Sequence, residues 1–227
     1  MTMANLYWQA FGGMLFLLAV MAAALFLPAW SVGFWQAWLL LAVFSVCVTA
    51  ITLYLVKHDP KLLARRVRGG PAAEKESTQR IIQSIAGFAF LAILIVSTLD
   101  HRFAWSEAPI WLAGVGDALV ALGLWMVFLV FKENSFTSAT IEISTDQKVV
   151  ASGPYAIVRH PMYTGGLVML VGLPLSLASW WGMLAVIPLF LVIVWRIFDE
   201  ERFLAGRLQG YADYLTRVRY RLLPGIW

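Results

Sequence analysis

The chain has 227 residues, of which 61% are hydrophobic and only 13% are charged, whereas an ordinary soluble domain is roughly 25% charged. A soluble fold of this size cannot hide so much apolar surface, so the composition predicts a protein embedded in a lipid bilayer. The net charge of +4 does not indicate a nucleic-acid partner, because the basic residues flank apolar segments and favour an anionic membrane surface. The single cysteine, Cys47, excludes an internal disulfide and a cysteine-based metal cluster.

A membrane helix needs about 20 mostly apolar residues, and the chain contains four separate stretches of that length. They cover approximately residues 11–30, 35–56, 81–99 and 110–131. The next apolar region, Gly166 to Phe198, is too long for one helix and is interrupted between Ser179 and Gly182. It therefore predicts a helical hairpin with arms at about 162–178 and 181–200. The predicted fold class is all-α, a polytopic membrane protein with about six transmembrane segments.

The basic residues predict the orientation of these segments. All of them except Arg102 fall in the 57–80 connection, in the 132–160 stretch or in the tail that begins at Arg196. The positive-inside rule then places both termini in the cytoplasm. Nearly all of the longer polar sequence lies on the same side, so we expect the working surface of the protein to face the cytoplasm.

The segment from Ser152 to Tyr163 is the most informative polar stretch. A Gly-Pro pair makes a turn, and Pro161 suits the first position of a helix that opens beside Arg159. The free N–H groups of such a helix end form an anion site that would suit a carboxylate. The alternative is a loop whose Arg159 and His160 extend to water at the interface.

An acidic run, Asp199 to Glu201, follows Arg196 at the end of the last membrane segment. An Arg196–Glu200 pair within the helix would contribute only about 0.2–0.5 kcal/mol. Three carboxylates at a helix C-terminus also oppose the helix dipole. The run therefore indicates an outside partner, such as ligand hydroxyls or an ammonium group. No spacing of His, Cys, Asp and Glu resembles a metal site.

Small residues and the tail support further structural expectations. Gly165, Gly166 and Gly172 are expected to permit close helix packing. Apolar residues recur at helical spacing from Phe203 to Leu222, with arginines between them. This pattern predicts an amphipathic helix, which either lies at the lipid headgroups or folds back as a lid over a site.

From Asn134 to Pro224 the chain resembles the isoprenylcysteine carboxyl methyltransferase family in its prokaryotic form, which is related to membrane phospholipid methyltransferases. The matching positions, in order, are Asn134, Val149, Val150, Gly153, Pro154, Tyr155, Arg159, His160, Pro161, Tyr163, Arg196, Glu200, Glu201, Tyr211, Tyr214 and Val218. The resemblance divides the chain into N-terminal membrane helices at 1–131 and a methyltransferase core at 132–227. That core comprises a cofactor loop, the helical hairpin and the C-terminal amphipathic helix.

The resemblance implies that S-adenosyl-L-methionine is held at the cytoplasmic end of the hairpin. It also implies methyl transfer to a lipophilic or lipid-modified substrate, with carboxyl O-methylation as the leading expectation. Arg196 matches the arginine that faces the reacting group of the substrate. The positions that match the family's cofactor contacts are Gln147, Lys148, Val149, Val150, Tyr155, His160, Pro161, Met162, Tyr163 and Glu200.

Several alternatives remain open at this point. The chain could be a phospholipid N-methyltransferase or a thiol S-methyltransferase. It could be an NADPH-dependent reductase, because sterol-reductase-like membrane proteins share a similar C-terminal core. It could also be a non-catalytic membrane protein that binds a lipid or a partner. The tail from Arg221 to Gly225 is similar to that of prokaryotic relatives, which implies a location in the cytoplasmic membrane.

Overall fold

The computed structural model describes residues 3–74, 76–139 and 148–227, and the regular structure in these ranges is helical. Two short 3-10 turns, Pro71–Ala73 and Gly153–Ala156, accompany the longer helices. The α-helices are α1 (Met3–Ala29), α2 (Trp35–His58), α3 (Pro60–Val67), α4 (Ser77–Phe103), α5 (Trp111–Glu133), α6 (Pro161–Ser176), α7 (Trp180–Arg207) and α8 (Tyr211–Arg217). The predicted all-α class is confirmed.

Five helices, α1, α2, α4, α5 and α7, are 23 to 28 residues long and apolar enough to cross a membrane. The first arm of the predicted hairpin, α6, has only 16 residues and is about 24 Å long. This is less than the hydrocarbon thickness of about 30 Å. The chain is a polytopic helical membrane protein with five helices of full spanning length and one shorter apolar helix, α6, among the described residues.

The hairpin turns where the sequence predicted, and a buried carboxylate holds the turn. Ser179 caps α7, because its hydroxyl accepts a hydrogen bond from the Gly182 N–H at 2.9 Å. The same hydroxyl donates to Asp100 of α4 at 2.6 Å. Asp100 also accepts from the backbone and hydroxyl of Ser106, at 2.8 and 2.6 Å. One side chain thus joins the end of α4, the following loop and the start of α7.

Glycines on both helices bring α5 and α6 into close contact. A Cβ atom added to Gly165 would lie 2.8 Å from the Gly123 carbonyl oxygen, and one added to Gly172 would lie 2.7 Å from that of Gly116. The predicted role in close packing is therefore confirmed for Gly165 and Gly172. It is wrong for Gly166, where an added Cβ would meet nothing within 4 Å, because the next residue along a helix points about 100° away.

We expect Gly165→Ala to lower the thermal unfolding midpoint in detergent, because the new methyl group would overlap backbone atoms of α5 that cannot rotate away. Overpacking of this kind costs about 1–3 kcal/mol. Gly166→Ala adds the same methyl group one position further along, on an open face, and serves as the matched control. Its midpoint is expected to equal or slightly exceed that of the wild type. Circular dichroism measures both midpoints, and equal values for the two variants would contradict the close packing.

Contacts assign the connecting segments to the two ends of the bundle. At one end Leu6, near the N-terminus, belongs to an apolar cluster with Leu62 and Phe131. The last residues, 218–227, pack at the same end against the turn before α6. At the other end Arg102 donates to a carbonyl oxygen at the end of α1 at 3.1 Å. Both termini therefore lie at one end, together with the basic segments.

The tail forms two helices in place of the single amphipathic helix predicted from Phe203 to Leu222. The first part continues α7 to Arg207, and α8 begins at Tyr211 after a turn at Gly210. Gly210 has a φ of +82°, a left-handed conformation that glycine adopts without steric cost. This turn redirects the chain, so that α8 packs back onto the bundle.

Candidate functional site

A pocket opens at the end of the bundle that holds both termini. Its walls come from the segment after α5, the turn before α6, the first turn of α6, the last turns of α7, and α8. The space between them is about 870 Å³, part of it open to solvent. The predicted site residues that line it are Lys148, Val149, Val150, Tyr155, His160, Pro161, Met162, Tyr163, Arg196 and Glu200. Gln147 lies outside the described residues.

The N-terminus of α6 forms one wall of the pocket. Pro161 is its first residue, and the backbone N–H of the preceding His160 donates to the Arg221 carbonyl oxygen at 3.0 Å. The Thr164 hydroxyl donates to the Leu222 carbonyl oxygen at 2.9 Å, so the tail holds this turn from outside. The first N–H groups of a helix have no acceptor within it, and with the helix dipole they favour an anionic group.

A chain of hydrogen bonds connects the two predicted functional residues of α7. The Arg196 Nε donates to the Tyr163 hydroxyl at 2.7 Å, and this hydroxyl donates to Glu200 Oε2 at 2.6 Å. Among the described residues, no ion pair within 4.0 Å joins Arg196 directly to Glu200. Tyr163 of α6 therefore bridges them. In the same described ranges no hydrogen bond reaches the terminal nitrogens of Arg196.

The three carboxylates of α7, Asp199 to Glu201, lie about two turns before the helix ends at Arg207 and have three different surroundings. Glu200 lines the pocket, whereas Asp199 accepts a hydrogen bond from Gln79 of α4. Glu201 is buried and has partners from the same chain. The prediction that the whole acidic run needs an outside partner is therefore wrong for Asp199 and Glu201. Successive residues of a helix point about 100° apart, so only one of the three can face the pocket.

Glu201 joins α7 to the turn before α6 and to the tail. Its Oε1 lies 3.2 Å from Arg159 Nη1 and 3.2 Å from His160 Nε2. Its Oε2 accepts from both Arg221 Nε and Arg221 Nη2, at 3.0 and 2.9 Å. Glu201 belongs to the family pattern, but its role was not predicted from the sequence. The structure shows that it organises the pocket walls.

Two tyrosines connect α8 to the pocket. The Tyr214 hydroxyl donates to the Tyr155 carbonyl oxygen at 2.9 Å, and Asn134 Nδ2 donates to the Tyr155 hydroxyl at 3.2 Å. Burial raises the pKa of both tyrosines above the ordinary value, so both hydroxyls are protonated at neutral pH. The tail folds back over the pocket, as one of its two predicted roles requires. Its α8 residues Tyr211 and Tyr214 line the pocket.

Two arginines of the first basic segment hold the pocket wall that follows α5. Arg65 Nη1 donates to the Ser135 carbonyl oxygen at 2.5 Å, and Arg66 Nη1 donates to that of Ser138 at 3.2 Å. The sequence indicated only attraction to the membrane surface for these residues. Their acceptors are backbone carbonyls about 70 positions away, and no residue pattern in the sequence signals such a contact.

Comparison with known proteins identifies relatives of the pocket-forming half. Residues 111–209 match the family model of phospholipid methyltransferases. Protein-S-isoprenylcysteine O-methyltransferase B of Arabidopsis thaliana is 34% identical over 120 residues, which cover 48% of this chain and 57% of that protein. The cobalt-zinc-cadmium resistance protein CzcN of Cupriavidus metallidurans is 30% identical over 106 residues, 46% of this chain and 49% of that protein.

A delta(14)-sterol reductase of Mus musculus is 28% identical over 95 residues, which cover 39% of this chain and 22% of that protein. The chain thus spans between 22 and 57% of the length of these three relatives. The matches confirm the resemblance to isoprenylcysteine carboxyl methyltransferases and phospholipid methyltransferases. The matched residues 111–209 contain all the predicted site residues.

Proposed function

We propose that this chain, a relative of isoprenylcysteine carboxyl methyltransferases, transfers a methyl group from S-adenosyl-L-methionine to a carboxylate on a lipophilic substrate. The observation that carries the proposal is the Arg196–Tyr163–Glu200 chain of hydrogen bonds in one pocket. Glu200 lies about two turns before the end of α7 at Arg207, and Arg196 lies one further turn, about 6 Å, deeper in the bundle. The pocket therefore has a carboxylate nearer its end of the bundle and a guanidinium deeper inside.

The residues of the pocket fit S-adenosyl-L-methionine. Its amino-acid carboxylate suits the N-terminus of α6 at Pro161, and its hydroxyl and ammonium groups suit Glu200, an acceptor of hydrogen bonds. Val149 and Val150 are half-buried apolar residues that line the pocket together with Tyr155, and they would hold the adenine ring. When bound, the cofactor supplies a methyl group on a positively charged sulfur atom, which a nucleophile attacks directly.

The protein's part in this reaction is to position the acceptor and to exclude water. A substrate carboxylate is already deprotonated at neutral pH, so no side chain has to remove a proton. Tyr163 holds the Arg196 Nε, and the planar guanidinium can then present its terminal N–H groups to the carboxylate as a pair. Met162 lines the pocket and also packs with the apolar cluster that contains Phe131. A hydrophobic substrate would therefore meet apolar surface beside Arg196.

The pocket is expected to face the cytoplasm. Every Lys and Arg residue except Arg102 belongs, by sequence, to segments at the pocket end of the bundle, which is the pattern of the positive-inside rule. This orientation can be tested by fusing to the C-terminus a fluorescent protein that matures only in the cytoplasm. A dark but fully expressed fusion would contradict it.

Titration calorimetry of the purified protein in detergent tests the cofactor. We expect S-adenosylhomocysteine to bind and NADPH not to bind. Glu200→Gln is expected to weaken S-adenosylhomocysteine binding by roughly 10- to 100-fold, because hydrogen bonds to a charged group contribute about 1.5–3 kcal/mol. Glu107→Gln changes an exposed glutamate in the loop at the opposite end of the bundle and serves as the control. Binding of NADPH alone would favour a reductase, and unchanged affinity in Glu200→Gln would remove Glu200 from the site.

Methyl transfer from labelled S-adenosyl-L-methionine to N-acetyl-S-farnesylcysteine, in parallel with phosphatidylethanolamine, identifies the acceptor class. A carboxyl methyl ester releases its label as methanol on mild alkaline treatment, whereas an N-methyl or S-methyl product keeps it. We expect an alkali-labile product. A stable product would assign the chain to the N- or S-methyltransferases.

A further inference from the structure

A buried glutamate outside the family match lies at the same end of the bundle as the pocket. Glu74, between α3 and α4, is 1% exposed, and its Oε2 accepts from Gln83 Nε2 at 2.8 Å. The Glu74 carbonyl oxygen accepts from Arg80 Nη2 at 3.1 Å. Gln83 Nε2 also lies 3.3 Å from the carbonyl oxygen of Ala139, in the segment that continues from the pocket wall. The position of this carboxylate is therefore well defined.

The antiparallel packing of α4 and α7 brings this carboxylate level with Arg196. Gln79 of α4 donates to Asp199 of α7, which sets the register of the two helices. Gln83, which binds Glu74, lies one turn further into the bundle along α4. Arg196 lies about one turn further into the bundle along α7. Because Gln83 holds Glu74, the carboxylate of Glu74 lies at about the same depth in the bundle as Arg196.

We propose that Glu74 is a positioning residue for Arg196, an inference that rests on the proposed function. Tyr163 holds the guanidinium at Nε from the α6 side, and Glu74 supplies a negative charge from the α4 side. Charged groups in a poorly solvated site need such compensation. With the guanidinium fixed in this way, its terminal nitrogens are directed to the acceptor. Glu74 precedes residue 111, where the family match begins, so the N-terminal half contributes to acceptor orientation.

The test uses the full chain in detergent and Glu74→Gln, which removes the charge but keeps an acceptor for Gln83. We expect kcat/KM for N-acetyl-S-farnesylcysteine to fall roughly 10- to 100-fold, as expected for a displaced catalytic group. The affinity for S-adenosylhomocysteine should stay within about twofold, because Glu74 does not line the pocket. Glu74→Asp keeps the charge and should restore part of the activity. Glu76→Gln is the matched control, since Glu76 is exposed and lies 3.7 Å from Arg207.

A double-mutant cycle measures the Glu74–Arg196 interaction without any acceptor. The unfolding midpoint of Glu74→Gln combined with Arg196→Gln should exceed the additive value by about 2 °C or more, because each single variant already removes the attraction between the two charges. The same cycle with Glu76→Gln should be additive. If wild-type protein fails to methylate the probe, the proposed function is wrong, while the cycle still reports on Glu74. An additive Glu74 cycle, an unchanged kcat/KM in Glu74→Gln, or a parallel loss of S-adenosylhomocysteine affinity would overturn the positioning role.

Discussion

Replacing Arg196 with alanine is expected to abolish methyl transfer while S-adenosylhomocysteine still binds. Arg196 holds the Tyr163 hydroxyl through Nε, and its terminal nitrogens have no partner in the described part of the chain. In the proposed mechanism these nitrogens bind the acceptor carboxylate, so their removal leaves the acceptor unoriented. We expect kcat/KM to fall at least roughly 100-fold. Radiolabel transfer and titration calorimetry on the same preparation measure the two properties.

Two variants make this experiment specific. Arg196→Lys keeps the positive charge but lacks the planar pair of donors, and we expect it to recover little of the activity. Arg202→Ala removes an exposed arginine from the same helix, and we expect it to behave like the wild type. A normal rate in Arg196→Ala would refute the acceptor-binding role. A loss of S-adenosylhomocysteine affinity would place Arg196 on the cofactor instead.

Glu201→Gln, unlike Arg196→Ala, is expected to cause a large loss of stability. The substitution removes the negative charge that compensates Arg159 and Arg221, which both lie within 3.2 Å of Glu201 oxygens. Removing one partner from a buried charge network costs about 3–5 kcal/mol, which corresponds to a fall of roughly 10 °C in the unfolding midpoint. The turn before α6 should loosen as well, so S-adenosylhomocysteine affinity should fall with it.

The neighbouring glutamate, Glu200, is expected to affect ligand binding and not stability. Glu200→Gln is expected to weaken ligand binding with little change in the unfolding midpoint, because its only hydrogen-bond donor in the described ranges is the Tyr163 hydroxyl. Circular dichroism melts of the two variants, with Glu107→Gln as control, distinguish the two roles. If Glu201→Gln kept the wild-type midpoint, the tail would be held mainly by its backbone contacts.

The sequence by itself determined the membrane segments closely. The stretches predicted at 35–56 and 110–131 correspond to α2 (Trp35–His58) and α5 (Trp111–Glu133). The hairpin turn was predicted between Ser179 and Gly182, and Ser179 caps the second arm. Hydropathy, turn residues and helix caps are local properties, so they can be recognised without knowledge of the fold. The family pattern likewise predicted which residues line one pocket, since it reflects a shared arrangement of the same helices.

Only the tertiary structure decided which role each polar residue near the pocket has. Asp199, Glu200 and Glu201 look alike in the sequence, yet one binds Gln79, one lines the pocket and one joins the tail to α6. The partners come from positions 20 to 120 residues away. Glu74 was not recognised at all, because its hydrogen bond to Gln83 of α4 and the antiparallel register of α4 and α7 appear only in the folded chain. Contacts between distant segments depend on how helices pack, and residue spacing along the chain carries no direct record of that packing.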